Sequence, residues 1–241
     1  MQRYFGKIED GYAILEQDDV FHLLKSLRIR VGEKVEVVDG KCHLCEVSSL
    51  SPFRLKVIES IDDDREPANE IVIAFCLIKG DRNEVLIEKG SEIGASRFIP
   101  VLSERVIVKA EPGVVDNRLQ RLKKIAKSAA CQSRRGLIPE VSAYLPFDDL
   151  LKVEADHRLL AYEAEAGKGK SIGEALDNLE AGESILLLIG PEGGFSPEEA
   201  EKAISVGFSP ISLGKSILRA ETAGIVGAAL MVEASAKAED R

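Results

Sequence analysis

Ser184-Ile-Leu-Leu-Leu-Ile189 is a short, almost unbroken apolar run, and Gly190-Pro191-Glu192-Gly193-Gly194-Phe195 follows it directly. A run of this kind reads as a strand covered on both faces, as in a parallel sheet. Ser196-Pro197-Glu198-Glu199 comes next and is a complete helix start, with Ser at the N-cap, Pro at the first helical position and Glu at the third. A tight strand-to-helix turn needs one glycine. Three glycines with a proline allow a ligand to approach the backbone closely. Open α/β sheets bind ligands at this carboxyl end of their strands. This stretch alone predicts a parallel α/β domain with a ligand loop.

The rest of the chain after Asn69 fits that frame. Ile71–Leu77 is a second continuous apolar run. Asn83–Ile93 reads as a helix stopped by Gly94, and Arg97–Leu102 as a strand. Asp116 is placed to cap a long helix from Asn117 to about Ser133. Arg158–Glu163 reads as a strand, the helix after Ser196 stops at Gly207, and Pro210–Leu213 is a short strand. Arg219–Ala236 is the final helix. The first 65 or so residues differ: strand-like runs flank Asp39-Gly40, a hairpin signal, and Phe53–Ile58 alternates. Phe21–Leu27 suits a short helix. These features suggest a small β-barrel module. The polar stretch 62–69, with Pro67, marks the boundary, giving domains over 1–67 and 70–241.

A second glycine block, Leu213-Gly214-Lys215-Ser216-Ile217-Leu218-Arg219-Ala220-Glu221-Thr222-Ala223, also runs from a strand into a helix. It supplies a second wall for the same pocket. The helix it opens carries Ala220, Ala223, Gly224, Gly227, Ala228 and Ala229, small residues that allow close packing against the body or against a second copy.

Several classes are disfavoured. No stretch is long and apolar enough to span a membrane, and the first residues lack a signal-peptide core, so a cytoplasmic protein is expected. Cys42-His-Leu-Cys45 has the spacing of half a zinc site, but no second pair follows, so no metal is expected. Residues 164–171 loosely match a phosphate loop, although the helix after them is short. With three histidines and four cysteines, no nucleophilic triad is apparent, so chemistry is expected to rest on a bound cosubstrate and polar positioning groups.

The formal net charge is −9, which argues against a protein that coats nucleic acid indiscriminately. Yet no acid occurs between Asp116 and Glu140, a window holding Arg118, Arg121, Lys123, Lys124, Lys127, Arg134 and Arg135. A one-signed face of that length favours a phosphate-rich partner. Arg3, Lys7, Lys25, Arg28 and Arg30 add positive charge near the start of the barrel.

Arg3-Tyr-Phe5, His22-Leu23 through Leu27-Arg28, Lys89–Gly94, Ser103-Glu-Arg105, Gln132-Ser-Arg-Arg135, Ile189–Phe195 and Leu213–Ala223 together resemble one family along essentially the whole chain. That family is the bacterial 16S rRNA (uracil-N3)-methyltransferases of the SPOUT superfamily. The chain departs from it at Ala220, where threonine is usual. The resemblance implies an N-terminal PUA-like barrel and an α/β domain with a C-terminal trefoil knot. It implies S-adenosylmethionine held by Leu188, Ile189, Gly190, Gly193, Gly194, Leu213, Gly214, Ile217, Leu218 and Arg219. It also implies a homodimer through the C-terminal helices and 16S rRNA of the small ribosomal subunit as substrate. Arg219 and Glu221 are then candidates for charge stabilisation and proton removal. Arg3, Arg28, Arg105, Gln132 and Arg135 are candidates for RNA contact. Two alternatives stay open: a related enzyme acting on another RNA or atom, and an RNA-binding module or NTPase without methyl transfer.

Overall fold

The computed structural model describes residues 1–63, 65–105, 112–162, 167 and 169–240, and for 112–115 the backbone alone. The chain forms two units: Met1–Glu66 with Ala130–Ile138, and Pro67–Ala129 with Pro139–Arg241. The stretch Ala130–Ile138, expected within the second domain, therefore packs with the first.

The first unit is a closed five-stranded barrel. Its strands are β1 (Arg3–Glu9), β2 (Tyr12–Leu15), β3 (Lys34–Asp39), β4 (Lys41–Leu50) and β5 (Phe53–Ile61), in the order β1-β2-β5-β4-β3. Gly40 turns the β3–β4 hairpin at φ +67°, a backbone state that glycine adopts without a Cβ clash. The inward residues Tyr4, Ala13, Leu23, Val35, Val37, Cys45, Val47 and Leu55 form the barrel core. Cys42 and Cys45 face opposite sides of β4, as strict alternation requires: Cys45 joins the barrel core, and Cys42 is buried on the other face, where its sulfur accepts from Arg3 Nη2 at 3.3 Å. The short helix begins earlier than expected, as α1 (Gln17–Phe21) running into a π-helical turn over His22–Ser26.

The second unit is a seven-stranded parallel sheet. It contains β6 (Glu70–Cys76), β7 (Arg97–Leu102), β8 (Glu140–Val141), β9 (Leu145–Pro146), β10 (His157–Ala161), β11 (Ser184–Ile189) and β12 (Ser209–Ile211). The order is β12-β10-β11-β6-β7-β8, with β9 also on β7. Both faces are covered. Ile71, Ile73, Phe75, Leu187 and Ile189 pack against α2 (Arg82–Ile93), α3 (Pro112–Ser133), α5 (Ile172–Ala175) and α7 (Ala220–Glu239). Val72, Ala74, Leu186 and Leu188 pack against α4 (Phe147–Leu150) and α6 (Pro197–Ser205). This two-sided burial explains why the strands read as continuous apolar runs.

Local details correct the reading at several ends. α3 starts at Pro112, so Asp116 lies inside the helix and does not cap it; proline is well suited to the first turn, where its missing N–H has no partner anyway. β10 spans His157–Ala161, and Glu163 lies outside the described residues. Gly224 and Gly227 of α7 face α2 and the sheet, whereas Ala229 is exposed: a Cβ at Gly224 would lie 2.6 Å from Leu86 Cδ1 of α2, and one at Gly227 2.2 Å from Leu187 Cδ2 of β11. Among the described residues no helix is long and apolar enough to cross a membrane, and no three metal-ligating side chains cluster.

Candidate active site

A cavity of about 520 Å³ opens at the carboxyl ends of β10, β11 and β12, within the second unit. Its walls are the two glycine blocks, joined by Tyr162 and by Arg82 at the start of α2. This is the sheet edge at which a parallel α/β fold presents its loops.

The first wall is held rigidly. Ser196 and Glu199 form a reciprocal capping box at the start of α6. Glu199 also accepts the Glu104 backbone N–H at 2.9 Å. Within the loop the Gly194 N–H donates to Pro191 O at 3.0 Å, and Gly194 has φ +66°. A Cβ at Gly190 would lie 3.1 Å from the Phe195 ring, so that glycine lets the aromatic fold beneath the loop. Arg105 donates to Gly193 O at 2.9 Å. Glu192 accepts the Lys79 backbone N–H at 3.0 Å and lies 3.5 Å from Arg82 Nη1.

The second wall crosses the segment before α5. The Ser212 N–H donates to Lys170 O at 2.8 Å, and the Ser212 hydroxyl accepts from Gly167 N–H at 2.9 Å. Gly214 has φ +121°, and a Cβ there would meet nothing within 4 Å. Ser171 caps α5 through a box with Glu174, so its hydroxyl serves the helix and not a phosphate. Residues 163–166 and 168 of that loosely phosphate-loop-like stretch lie outside the described residues.

Of the expected cofactor residues, Ile189, Gly190, Gly193, Gly194, Leu213, Gly214, Ile217, Leu218 and Arg219 line this one cavity. Leu188 does not: alternation along β11 turns its side chain into the opposite core, fully buried. Arg219 is the N-cap residue of α7 and is exposed; its carbonyl oxygen accepts the Ala223 N–H at 2.8 Å, and its side chain makes no hydrogen bond or ion pair among the described residues. Glu221 does not pair with Arg219. Its Oε1 lies 3.9 Å from Arg82 Nε, its side chain is 14% exposed, and its Oε2 is buried without a partner among the described residues. Burial pushes the Cys76 thiol at the end of β6 up to about 12, so the edge carries no reactive thiolate there.

The RNA-contact candidates separate into two groups. Arg28, Arg105 and Gln132 are exposed, Arg28 with φ +52°. Arg3 and Arg135 are not. Arg3 is 2% exposed; its guanidinium bonds Glu36 at 2.8 Å, Asp63, and the carbonyl oxygens of Arg134 and Arg135 at 2.8 and 3.1 Å. Arg135 is 4% exposed and bonds Glu66 through Nε at 2.9 and 3.0 Å. A guanidinium removed from water must be paired, and these two are committed to structure within the first unit. The basic face of α3 is partly committed too: Arg118 donates to Ile78 O and Gly80 O at 3.0 and 3.1 Å, and Arg121 to Glu84 at 2.7 Å. Lys123 and Lys124 remain exposed.

Sequence reasoning missed Arg82, Tyr162, Glu192 and Ser216 as lining residues. Arg82 had a signal: Lys79-Gly-Asp-Arg82 follows β6 at the same carboxyl edge that marked the two glycine blocks.

Comparison with known proteins fits this geometry. Residues 64–232 match the family described as RNA methyltransferase domain, and residues 15–60 the one described as RNA methyltransferase PUA domain. The chain is 34% identical over 237 residues to ribosomal RNA small subunit methyltransferase E of Bacillus subtilis, covering 92% of this chain and 93% of that protein. It is 32% identical to the protein of the same name from Mesomycoplasma hyopneumoniae, covering 93% and 96%. The crystal structure of ribosomal RNA small subunit methyltransferase E from Neisseria gonorrhoeae, bound to S-adenosyl methionine, superposes with a TM-score of 0.84 at 28% identity, covering 96% of each chain. The chain belongs to the ribosomal RNA small subunit methyltransferase E family.

Proposed function

We propose that this chain transfers the methyl group of S-adenosylmethionine to N3 of a specific uridine in 16S rRNA of the small ribosomal subunit. The observation that carries the reading is the cavity itself: two glycine-bearing loops at the carboxyl edge of a parallel sheet, in a chain of this family. The donor set fits the cofactor. Apolar Ile189, Leu213, Ile217 and Leu218 suit a purine, and the backbone of Gly190, Gly193, Gly194 and Gly214 leaves room beside it. When bound, the cofactor supplies an activated methyl on a sulfonium, so the protein's task is alignment. Arg219 stabilises negative charge on a uracil carbonyl oxygen, and Glu221 takes the N3 proton. Arg28, Arg105 and Gln132 are the exposed groups left to contact RNA.

The remaining expectations belong to the same reading. The barrel over 1–67 grips RNA, with the α/β domain over 70–241 carrying out transfer. The close approach of Ser212 to Gly167 and Lys170, two stretches some forty residues apart in sequence, supports the trefoil knot implied by the resemblance. Two copies pair through α7, whose Ile225 and Val226 are partly exposed and whose Ala229 is exposed. A ribosomal substrate places the protein in the cytoplasm. Calorimetry tests the cofactor assignment: S-adenosylmethionine binds and ATP with magnesium does not, and Gly194→Val removes binding. A Gly194→Val variant with unchanged affinity rejects this cavity.

A further inference from the structure

Uracil presents an acceptor, a donor and an acceptor along its imide edge: O2, N3–H and O4. A protein that reads this edge needs a donor, an acceptor and a donor in that order. Arg219 and Glu221 supply one donor and the acceptor under the reading above. The opposite carbonyl is left without a partner.

Arg82 is placed to serve it. It lines the cavity with Arg219, yet comes from a different element, as the first residue of α2. Its guanidinium has five N–H donors, and its contacts are loose: 3.9 Å from Nε to Glu221 Oε1 and 3.5 Å from Nη1 to Glu192 Oε1. Nη2 makes no hydrogen bond among the described residues, and the side chain is 39% exposed. The carboxylate beside it is also incomplete, since Glu221 Oε2 is buried without a partner among the described residues, and buried polar atoms are normally paired. Arg82, which lines the cavity with donors to spare, therefore stands beside the Glu221 carboxylate, which sits just behind the lining with one oxygen buried.

We infer that Arg82 contacts the uracil directly, donating to the imide carbonyl on the side of N3 away from Arg219. This rests on the proposed uridine-N3 chemistry. The N3–H bond breaks, with the proton passing to the Glu221 carboxylate. The electron pair left on N3 spreads to O2 and O4, where a guanidinium stands on each side. N3 then bonds the methyl carbon, and the electrons of the carbon–sulfur bond return to sulfur, leaving a neutral thioether. The same arrangement rejects cytosine, whose 4-amino donor would meet a guanidinium donor.

The test compares Arg82→Gln and Arg82→Lys on small subunits carrying either uridine or 5-fluorouridine in their 16S rRNA; fluorine makes N3 more acidic. S-adenosylmethionine affinity is measured by calorimetry on each variant. Arg82→Gln is expected to lower kcat on the order of 100-fold, as for loss of one oxyanion donor, with cofactor Kd within about 3-fold. The loss shrinks by about 5-fold or more with 5-fluorouridine, because a more stable uracilate needs less help. Arg82→Lys keeps the cation and recovers part of kcat. Equal losses on both substrates, or a fall in cofactor affinity matching the fall in rate, overturn direct contact. If the unaltered protein makes no N3-methyluridine, the proposed function itself fails, and the role of Arg82 fails with it.

Discussion

Gly227→Ala puts the packing of α7 to a quantitative test. Gly227 lies in the middle of the helix and faces β11, where an added Cβ would sit 2.2 Å from Leu187 Cδ2. An ordinary carbon–carbon contact lies near 3.5–4.0 Å, so the overlap exceeds about 1 Å. Leu187 is fully buried, so its side chain has no solvent to swing into. Overpacking of this kind costs about 1–3 kcal/mol. Replacing glycine by alanine in a helix returns about 1 kcal/mol. The net expectation is a loss of up to about 2 kcal/mol, or a Tm lower by up to about 8 °C for a chain of this size. Urea denaturation of Gly227→Ala, Leu187→Ala and the double variant isolates the contact. Leu187→Ala alone leaves a cavity, and the added methyl group partly fills it. The double variant should therefore be more stable than the sum of the singles by about 1 kcal/mol or more. Additive losses across the three variants would refute the close approach of α7 to the sheet. Gly224→Ala carries the same argument to the cavity, because its Cβ would also lie 3.1 Å from Ile189, a lining residue.

The other expectations concern charge and protonation. Arg3→Ala leaves the Glu36 and Asp63 carboxylates without their buried cation, so it should destabilise by about 3–5 kcal/mol in urea titrations; a variant that loses RNA affinity at unchanged stability would contradict the buried assignment. The Ser184 backbone N–H and then its hydroxyl hold the Asp156 carboxyl below its ordinary value of 3.8. A lowered folded pKa gives a contribution present above that ordinary value and lost as pH falls through the lowered one. Asp156→Asn should therefore be less stable than the parent at neutral pH, with the gap closing in strong acid. Burial pushes the Cys45 and Cys76 thiols up to about 11 and about 12. Neither should react with a thiol reagent at mildly alkaline pH until the protein is unfolded, as peptide mapping of the labelled protein would show.

Where one physical rule governs a stretch, the sequence is readable. The apolar run Ser184–Ile189 is β11 residue for residue, because a strand buried on both faces has no reason to alternate. Ser196 with Glu199 marks the start of α6, because its capping hydrogen bonds are local. The small residues of α7 announce close packing, and Leu86 and Leu187 show what they pack against. Other features depend on partners far along the chain. Arg3 and Arg135 carry the same charge as a surface arginine; only the approach of Glu36, Asp63 and Glu66 reveals that they are interior. Cys42 and Cys45 face opposite sides by plain alternation, yet both are buried, because Arg3 covers Cys42 on the face away from the barrel core. The resemblance names Leu188 for its backbone; strand alternation sends its side chain into the opposite core, away from the cavity. Arg82 reaches the cavity from the start of α2, more than a hundred residues before either glycine block, and only the sheet order brings them together.

The central claim is methyl transfer to uridine N3. The direct measurement incubates the protein with S-adenosylmethionine and small ribosomal subunits that lack this modification, then digests the 16S rRNA to nucleosides for mass spectrometry. The account predicts N3-methyluridine at one position per subunit, and a sharply reduced yield with Arg219→Ala or Glu221→Gln. A methyl group on another base or another atom, or no transfer to subunits that the protein binds, would contradict it.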